Sequence, residues 1–175
     1  GITKSFPGVM VLQDVDLEIN EGEVHAIVGE NGAGKSTLMK ILAGFYQPDK
    51  GDIEVGGRKA THWTPREARS RGIGMIYQEL NLVPDLSVAE NISLGAMPTR
   101  GPFVDYRAMN SKATAVLDLL DTDIDPGTRL GDLSISQQQL VEIAKVVARQ
   151  TNVVGFDETK SSLGGKETRV LFDVI

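Results

Sequence analysis

Gly29-Glu30-Asn31-Gly32-Ala33-Gly34-Lys35-Ser36 decides how this chain is read. The stretch matches G-x-x-x-x-G-K-[ST] without deviation, the pattern of a loop that wraps phosphate oxygens in backbone N–H groups. Gly29, Gly32 and Gly34 let the backbone come close to anionic oxygens. Lys35 brings a point charge to the β- and γ-oxygens, and Ser36 offers a hydroxyl to Mg²⁺. Asn31, Ala33 and Thr37 fill out the run whose amides, with the following helix N-terminus, face the phosphates. A helix end contributes roughly 0.3–1 kcal/mol per charge when exposed, so the whole loop has to act together. The flanks agree. His25-Ala26-Ile27-Val28 reads as a short strand buried on both faces. Leu38, Ile41 and Leu42 follow at helical spacing, and Gly44 ends the helix.

Outward from the loop, Val15, Leu17 and Ile19 alternate with charged residues, which reads as a half-buried strand. Ile53 and Val55 lie in another strand, between Gly51 and Gly57. Thr64 caps a short helix with Pro65 at its first position. Ile73 to Tyr77 reads as a strand. Ser87-Val88-Ala89-Glu90 is a capping box that opens a helix. A second helix covers residues 106–120, with Ala113, Val116, Leu117 and Leu120 on one stripe. A third runs over 134–149, with Leu140, Ile143, Ala144 and Val147 at helical spacing. Val153 to Phe156 is a strand ending in Asp157-Glu158. Short buried strands mixed with helices argue for an α/β core, and residues 87–149 form a largely helical lobe.

Composition narrows the function. Lys plus Arg is 18 and Asp plus Glu 24, so 18 − 24 leaves a net charge of −6 in 175 residues. That balance speaks against a broad nucleic-acid face. The single tryptophan, Trp63, has no aromatic neighbours in sequence for a base-stacking platform. With no cysteine, disulfides, thiolate zinc sites and thiol catalysis are excluded. No uncharged apolar run approaches the ~18 residues of a membrane span. Asp121, Asp123 and Asp125 begin like a calcium loop, but Pro126 stands where glycine is needed and Asp132 where glutamate is needed. A solvated acidic turn is the better reading there.

Four stretches occur in order: GENGAGKST at 29–37, QELNLVPDLSVAENISLG at 78–95, LSISQQQLVEIAK at 133–145 and the pair Asp157-Glu158. Together they resemble the ATP-binding subunits of ABC transporters, and within them the bacterial importers of ribose, galactose, xylose and similar monosaccharides. The resemblance implies a P-loop NTPase of the ABC ATPase type. Its mixed-sheet nucleotide-binding core would take residues 1–86 and 150–175, incomplete at both ends, and its helical subdomain residues 87–149 with the signature motif. It implies ATP and Mg²⁺ as ligands, and ATP binding and hydrolysis that power sugar import.

The resemblance also assigns roles. Gln78 would reach Mg²⁺ and the attacking water beside the contact with the membrane subunits. Asp157 would associate with Mg²⁺ and Glu158 would be the general base. Ser134, Ser136 and Gln137 would serve the ATP bound by the opposing subunit. Phe6 would stack on adenine. Two departures stand out. Leu133-Ser134-Ile135-Ser136-Gln137 replaces both glycines of LSGGQ, and Asp157-Glu158-Thr159-Lys160 replaces D-E-P-T. The implied partners are a second ATPase half or subunit, membrane permease subunits and, indirectly, a periplasmic sugar-binding protein. The implied place is the cytoplasmic face of the bacterial inner membrane, as a peripheral protein.

The family's opening strand would precede Gly1, and its switch histidine would follow Ile175. His25 and His62 stand in the wrong places for that role. The chain therefore reads as part of the first of two ATPase halves. Alternatives are a stand-alone P-loop enzyme, or a fragment that binds ATP without hydrolysing it. Against a GTPase there is no N-K-x-D stretch, and against a kinase there is no acceptor site or lid arginine cluster.

Overall fold

Pro7-Gly8 turns the chain back on itself, so β1 (Ile2–Phe6) pairs antiparallel with β2 (Val9–Val15). Phe6 sits opposite Val9 and Lys4 opposite Leu12, with a register shift on each side of Lys4. The computed structural model describes residues 1–77, 80–149 and 151–156. These fall into two units, one of residues 1–73 and one that begins at Gly74.

In the first unit, α1 (Lys35–Leu42) lays Leu38 and Ile41 against Leu12 of β2. Val11, Val15, Leu17, Ile27, Tyr46 and Ile53 close around this small core. β3 (Glu54–Val55) and β4 (Arg58–Lys59) form a hairpin through Gly56-Gly57. α2 (Pro65–Ser70) begins as the sequence predicts: the Thr64 hydroxyl accepts the Glu67 N–H at 3.2 Å.

Two expectations change here. β2 ends at Val15, so Leu17 and Ile19 do not continue a strand. Residues 25–28 form no strand either, and Val28 is 91% exposed. Burial on both faces needs a layer above and below as well as neighbouring strands. Among the described residues no ladder forms along 25–28, and of that run only Ile27 packs on the core.

In the second unit β5 (Ile73–Ile76) leads towards Gln78. α3 (Val88–Ser93) starts at the expected capping box, with Ser87 and Glu90 bonded reciprocally. β6 (Thr99–Arg100) and β7 (Phe103–Val104) make a small hairpin before α4 (Tyr106–Leu119). α5 (Ile135–Val147) follows, and β8 (Val153–Phe156) pairs with β5. Of the predicted stripes Ala113, Leu117, Leu120, Ile143 and Ala144 are buried, whereas Val116, Leu140 and Val147 are half-buried against them; Met109 and Val141 join the core beside them. Met109, Ala113 and Leu117 of α4 pack with Val88 and Ile92 of α3 and with Val141 and Ala144 of α5.

Candidate functional site

The phosphate loop is bent by its glycines. Gly34 is the N-cap of α1 in the left-handed region, at φ 89° and ψ 2°, and it offers no side chain to cap the helix. The first helical bond runs from the Leu38 N–H to the Gly34 carbonyl at 2.9 Å. Within the loop the Ala33 N–H donates to the Glu30 carbonyl at 3.1 Å. Lys35 Nζ folds back over the loop and donates to the carbonyls of Gly29 at 2.7 Å and Glu30 at 2.9 Å. An ammonium has three protons. Two are used to shape the loop, and the third can serve a phosphate oxygen.

Trp63 fixes the other end of the same helix. It is 2% exposed, and its indole N–H donates to the carbonyls of Ile41 at 2.8 Å and Leu42 at 3.1 Å. Terminal carbonyls of a helix lack intrahelical partners, and the indole supplies one. Sequence reasoning set Trp63 aside for its lack of aromatic neighbours, and nothing in the local sequence announces this long-range bond.

Phe6 is half-buried at the end of β1 and meets Tyr46 edge-on, with ring centroids 5.3 Å apart at 71°. Lys4 Nζ lies 5.6 Å from the Phe6 centroid, and Lys40 Nζ lies 5.7 Å from that of Tyr46. Tyr46 was missed from sequence, although the aromatic pair Phe45-Tyr46 just beyond α1 was a usable signal.

In the second unit, Ser134 caps α5 as the spacing predicts. Its N–H and hydroxyl both donate to Gln137 Oε1 at 3.0 Å, and the Gln137 N–H returns to Ser134 Oγ at 3.4 Å. Ser136 is half-buried, and Ile135, in place of a glycine, is 61% exposed. Among the described helices, the cap and first turn carry an acid at α2 (Glu67), α3 (Glu90) and α4 (Asp105). They carry none at α1 and α5. An acid there neutralises the positive end of the helix dipole, and leaving it out keeps that end available to an external anion. At α3 the Ser87 N–H and hydroxyl hold the Glu90 carboxyl below the usual carboxylate range.

Gln78, Asp157 and Glu158 lie outside the described residues, as does Lys160. Ser36 is exposed in the first turn of α1, and among the described residues no cluster of three His, Asp or Glu side chains could hold a metal.

The family model described as ABC transporter matches residues 12–161. A putative ribose/galactose/methyl galactoside import ATP-binding protein 3 of Agrobacterium fabrum is 54% identical over 175 residues, covering 100% of this chain and 35% of that protein. The arabinose import ATP-binding protein AraG of Vibrio parahaemolyticus is 48% identical over 174 residues, covering 99% of this chain and 34% of its own length. This chain thus spans about a third of the length of the curated relatives it matches. Among solved structures, the ADP conformation of the ATP-binding cassette MJ1267 superposes with a TM-score of 0.81 at 26% identity, covering 99% of this chain and 72% of that one. A dimeric post-hydrolysis state of the cassette MJ0796, bound to ADP and Pi, gives 0.80 at 26% identity, covering 99% and 78%. The α/β P-loop fold of the ABC ATPase type, expected from the motifs, is the fold of these neighbours.

Proposed function

The chain belongs to the ABC transporter family, and from that premise we propose that it is the nucleotide-binding part of an ATPase that powers monosaccharide import. The observation that carries this is the loop at residues 29–37. Its amides, the acid-free N-terminus of α1 and the folded-back Lys35 ammonium present one concentrated positive site for a triphosphate. In this reading Gly29, Asn31, Gly32, Ala33, Gly34 and Thr37 hold phosphate oxygens. Phe6 takes the adenine ring beside Tyr46.

Ser36, Gln78 and Asp157 make an all-oxygen donor set, which suits a hard cation such as Mg²⁺. When bound, Mg²⁺ would neutralise charge on the β- and γ-oxygens. In this reading Glu158 serves as the general base and Gln78 orients the attacking water. Ser134, Ser136 and Gln137 serve the nucleotide of an opposing ATPase half at the acid-free end of α5. The relatives named for sugar import support membrane permease subunits as partners, with a periplasmic sugar-binding protein acting through them. They equally support a peripheral position at the cytoplasmic face of the membrane. No described helix is long and apolar enough to cross a membrane. We keep residues 87–149 as the helical subdomain within this scheme.

Calorimetric titration with Mg-ATP tests the proposal. The unmodified protein should bind, and Lys35→Ala should lose binding while keeping its thermal unfolding transition. Normal affinity in folded Lys35→Ala would remove the ground for the assignment. A stand-alone kinase or GTPase is not favoured, because the family match runs from the loop through both α4 and α5.

A further inference from the structure

Glu142 and Lys145 lie three positions apart on one face of α5, and only 3% and 8% of their surfaces are exposed. Charged side chains are almost never buried this far unless they are paired. Both reach the main chain of a single residue, Asn81. Lys145 Nζ donates to the Asn81 carbonyl at 2.5 Å, across a separation of 64 residues. The Asn81 N–H donates to the Glu142 carboxylate. One turn on, Arg149 donates to the Leu94 carbonyl at 2.7 Å.

The arrangement is costly. Burial pushes the Glu142 carboxyl above its ordinary value, although Lys145, the Asn81 N–H and Arg149 all pull it down. Its Oε2 is buried with no hydrogen-bond partner among the described residues. An apolar pair of similar volume would fill the same space at no such cost. What an apolar pair cannot do is hold a peptide group by its N–H and its carbonyl at once.

The place of that peptide gives the hold a use. Asn81 stands three residues past Gln78, and three residues of chain span at most about 11 Å. Glu142 lies eight residues past Ser134 on a continuous helix, which is about 12 Å along its axis. We propose that Glu142 and Lys145 are positioning residues that lock the Asn81 peptide to α5, so that the chain leaving Gln78 moves together with the helix end at Ser134 to Gln137. The inference rests on the ATPase reading above. It adds that this pair, which contacts neither phosphate nor metal in that reading, sets the alignment of two segments that do.

The test uses Glu142→Met/Lys145→Met, which removes both charges and so strands neither, together with Lys145→Arg as the conservative variant. Amide exchange is followed in this chain, with Mg-ATP affinity and kcat measured in the full-length protein that carries it. In the double variant, Asn81 amide exchange should speed up by about a hundredfold. Its kcat should fall by about tenfold with affinity nearly unchanged, and Lys145→Arg should recover most of the rate. Should the double variant fail to melt cooperatively, Asn81→Pro takes its place. It removes the N–H that Glu142 accepts, together with the asparagine side chain, so Asn81→Ala, which keeps that N–H, is measured beside it; a loss confined to kcat is expected in the proline variant and not in the alanine one. Unchanged exchange in the folded double variant overturns the proposal, as does unchanged kcat in it or in the proline variant, or a parallel fall in affinity and kcat. If the unmodified protein fails to bind ATP, the functional reading falls with the role in positioning Gln78. Exchange at Asn81 still decides whether the side chains hold that peptide.

Discussion

Gly32 and Gly34 have nearly the same positive φ, 88° and 89°, in very different surroundings. The pair therefore separates two effects that usually arrive together. For any L-residue the left-handed conformation costs about 1–2 kcal/mol, and that part is common to both sites. A Cβ built at Gly32 meets nothing within 4 Å. One built at Gly34 falls 2.8 Å from Leu12 Cδ2 and 2.9 Å from the Val11 carbonyl oxygen. The carbonyl belongs to β2, and Leu12, 5% exposed, is the centre of the unit's core, so neither can withdraw freely. Overpacking of this kind costs a further ~1–3 kcal/mol. Gly32→Ala should then destabilise by about 1–2 kcal/mol, and Gly34→Ala by about 2–5 kcal/mol.

Urea unfolding followed by tryptophan fluorescence reads the difference, since Trp63 is the only tryptophan, is buried, and caps the helix that Gly34 begins. If the alanine is instead tolerated by distorting the loop, the strain should reappear in Mg-ATP affinity, at about tenfold for each 1.4 kcal/mol. Equal midpoints and equal affinities for the two variants would refute the packing argument. So would a larger loss at Gly32.

Two further predictions concern groups the loop does not contain. Trp63→Phe keeps an aromatic ring but leaves the Ile41 and Leu42 carbonyls without the indole N–H. It should cost about 1–3 kcal/mol in unfolding followed by circular dichroism, and no loss would mean that the indole bond contributes nothing. Glu142 titrates above its ordinary 4.5 in the folded chain. Its contribution is therefore in place below that pH and is lost as pH rises through the folded value. Glu90, held low by Ser87, has the opposite sign and loses its contribution as pH falls. Glu142→Gln cannot ionise, so its stability relative to the unmodified chain should climb as pH rises from 4.5 towards neutrality. Parallel stability profiles against pH would contradict this.

The legible parts of the chain are those whose partners lie close in sequence. Thr64 reaches the Glu67 N–H, Ser87 pairs with Glu90, and Ser134 pairs with Gln137, each across three residues. Lys35 reaches Gly29 and Glu30 across six and five. The stripes of α4 and α5 follow from the helical period alone. One local signal was present and unused. Glu67, Glu90 and Asp105 stand at the starts of three helices, and no acid stands at the starts of α1 and α5, where the anion sites are proposed.

What was not legible depends on chain segments far apart. An apolar run such as His25 to Val28 reads as a buried strand only on the assumption that neighbours arrive on its edges and faces. Only Ile27 of that run packs on the core. Trp63 reaches Ile41 across 22 residues, and Lys145 reaches Asn81 across 64. The proposed chemistry divides along the same line. Gripping a triphosphate needs one contiguous loop whose amides, glycines and lysine shape each other, so a motif of eight residues carries most of the information. Hydrolysis, in the proposed scheme, would draw on Gln78, Asp157 and Glu158, which stand far apart in the sequence. Substitutions in residues 29–37 should therefore act on affinity. Substitutions in the buried supports of Asn81 should act on rate, although both sets lie in the same 175 residues.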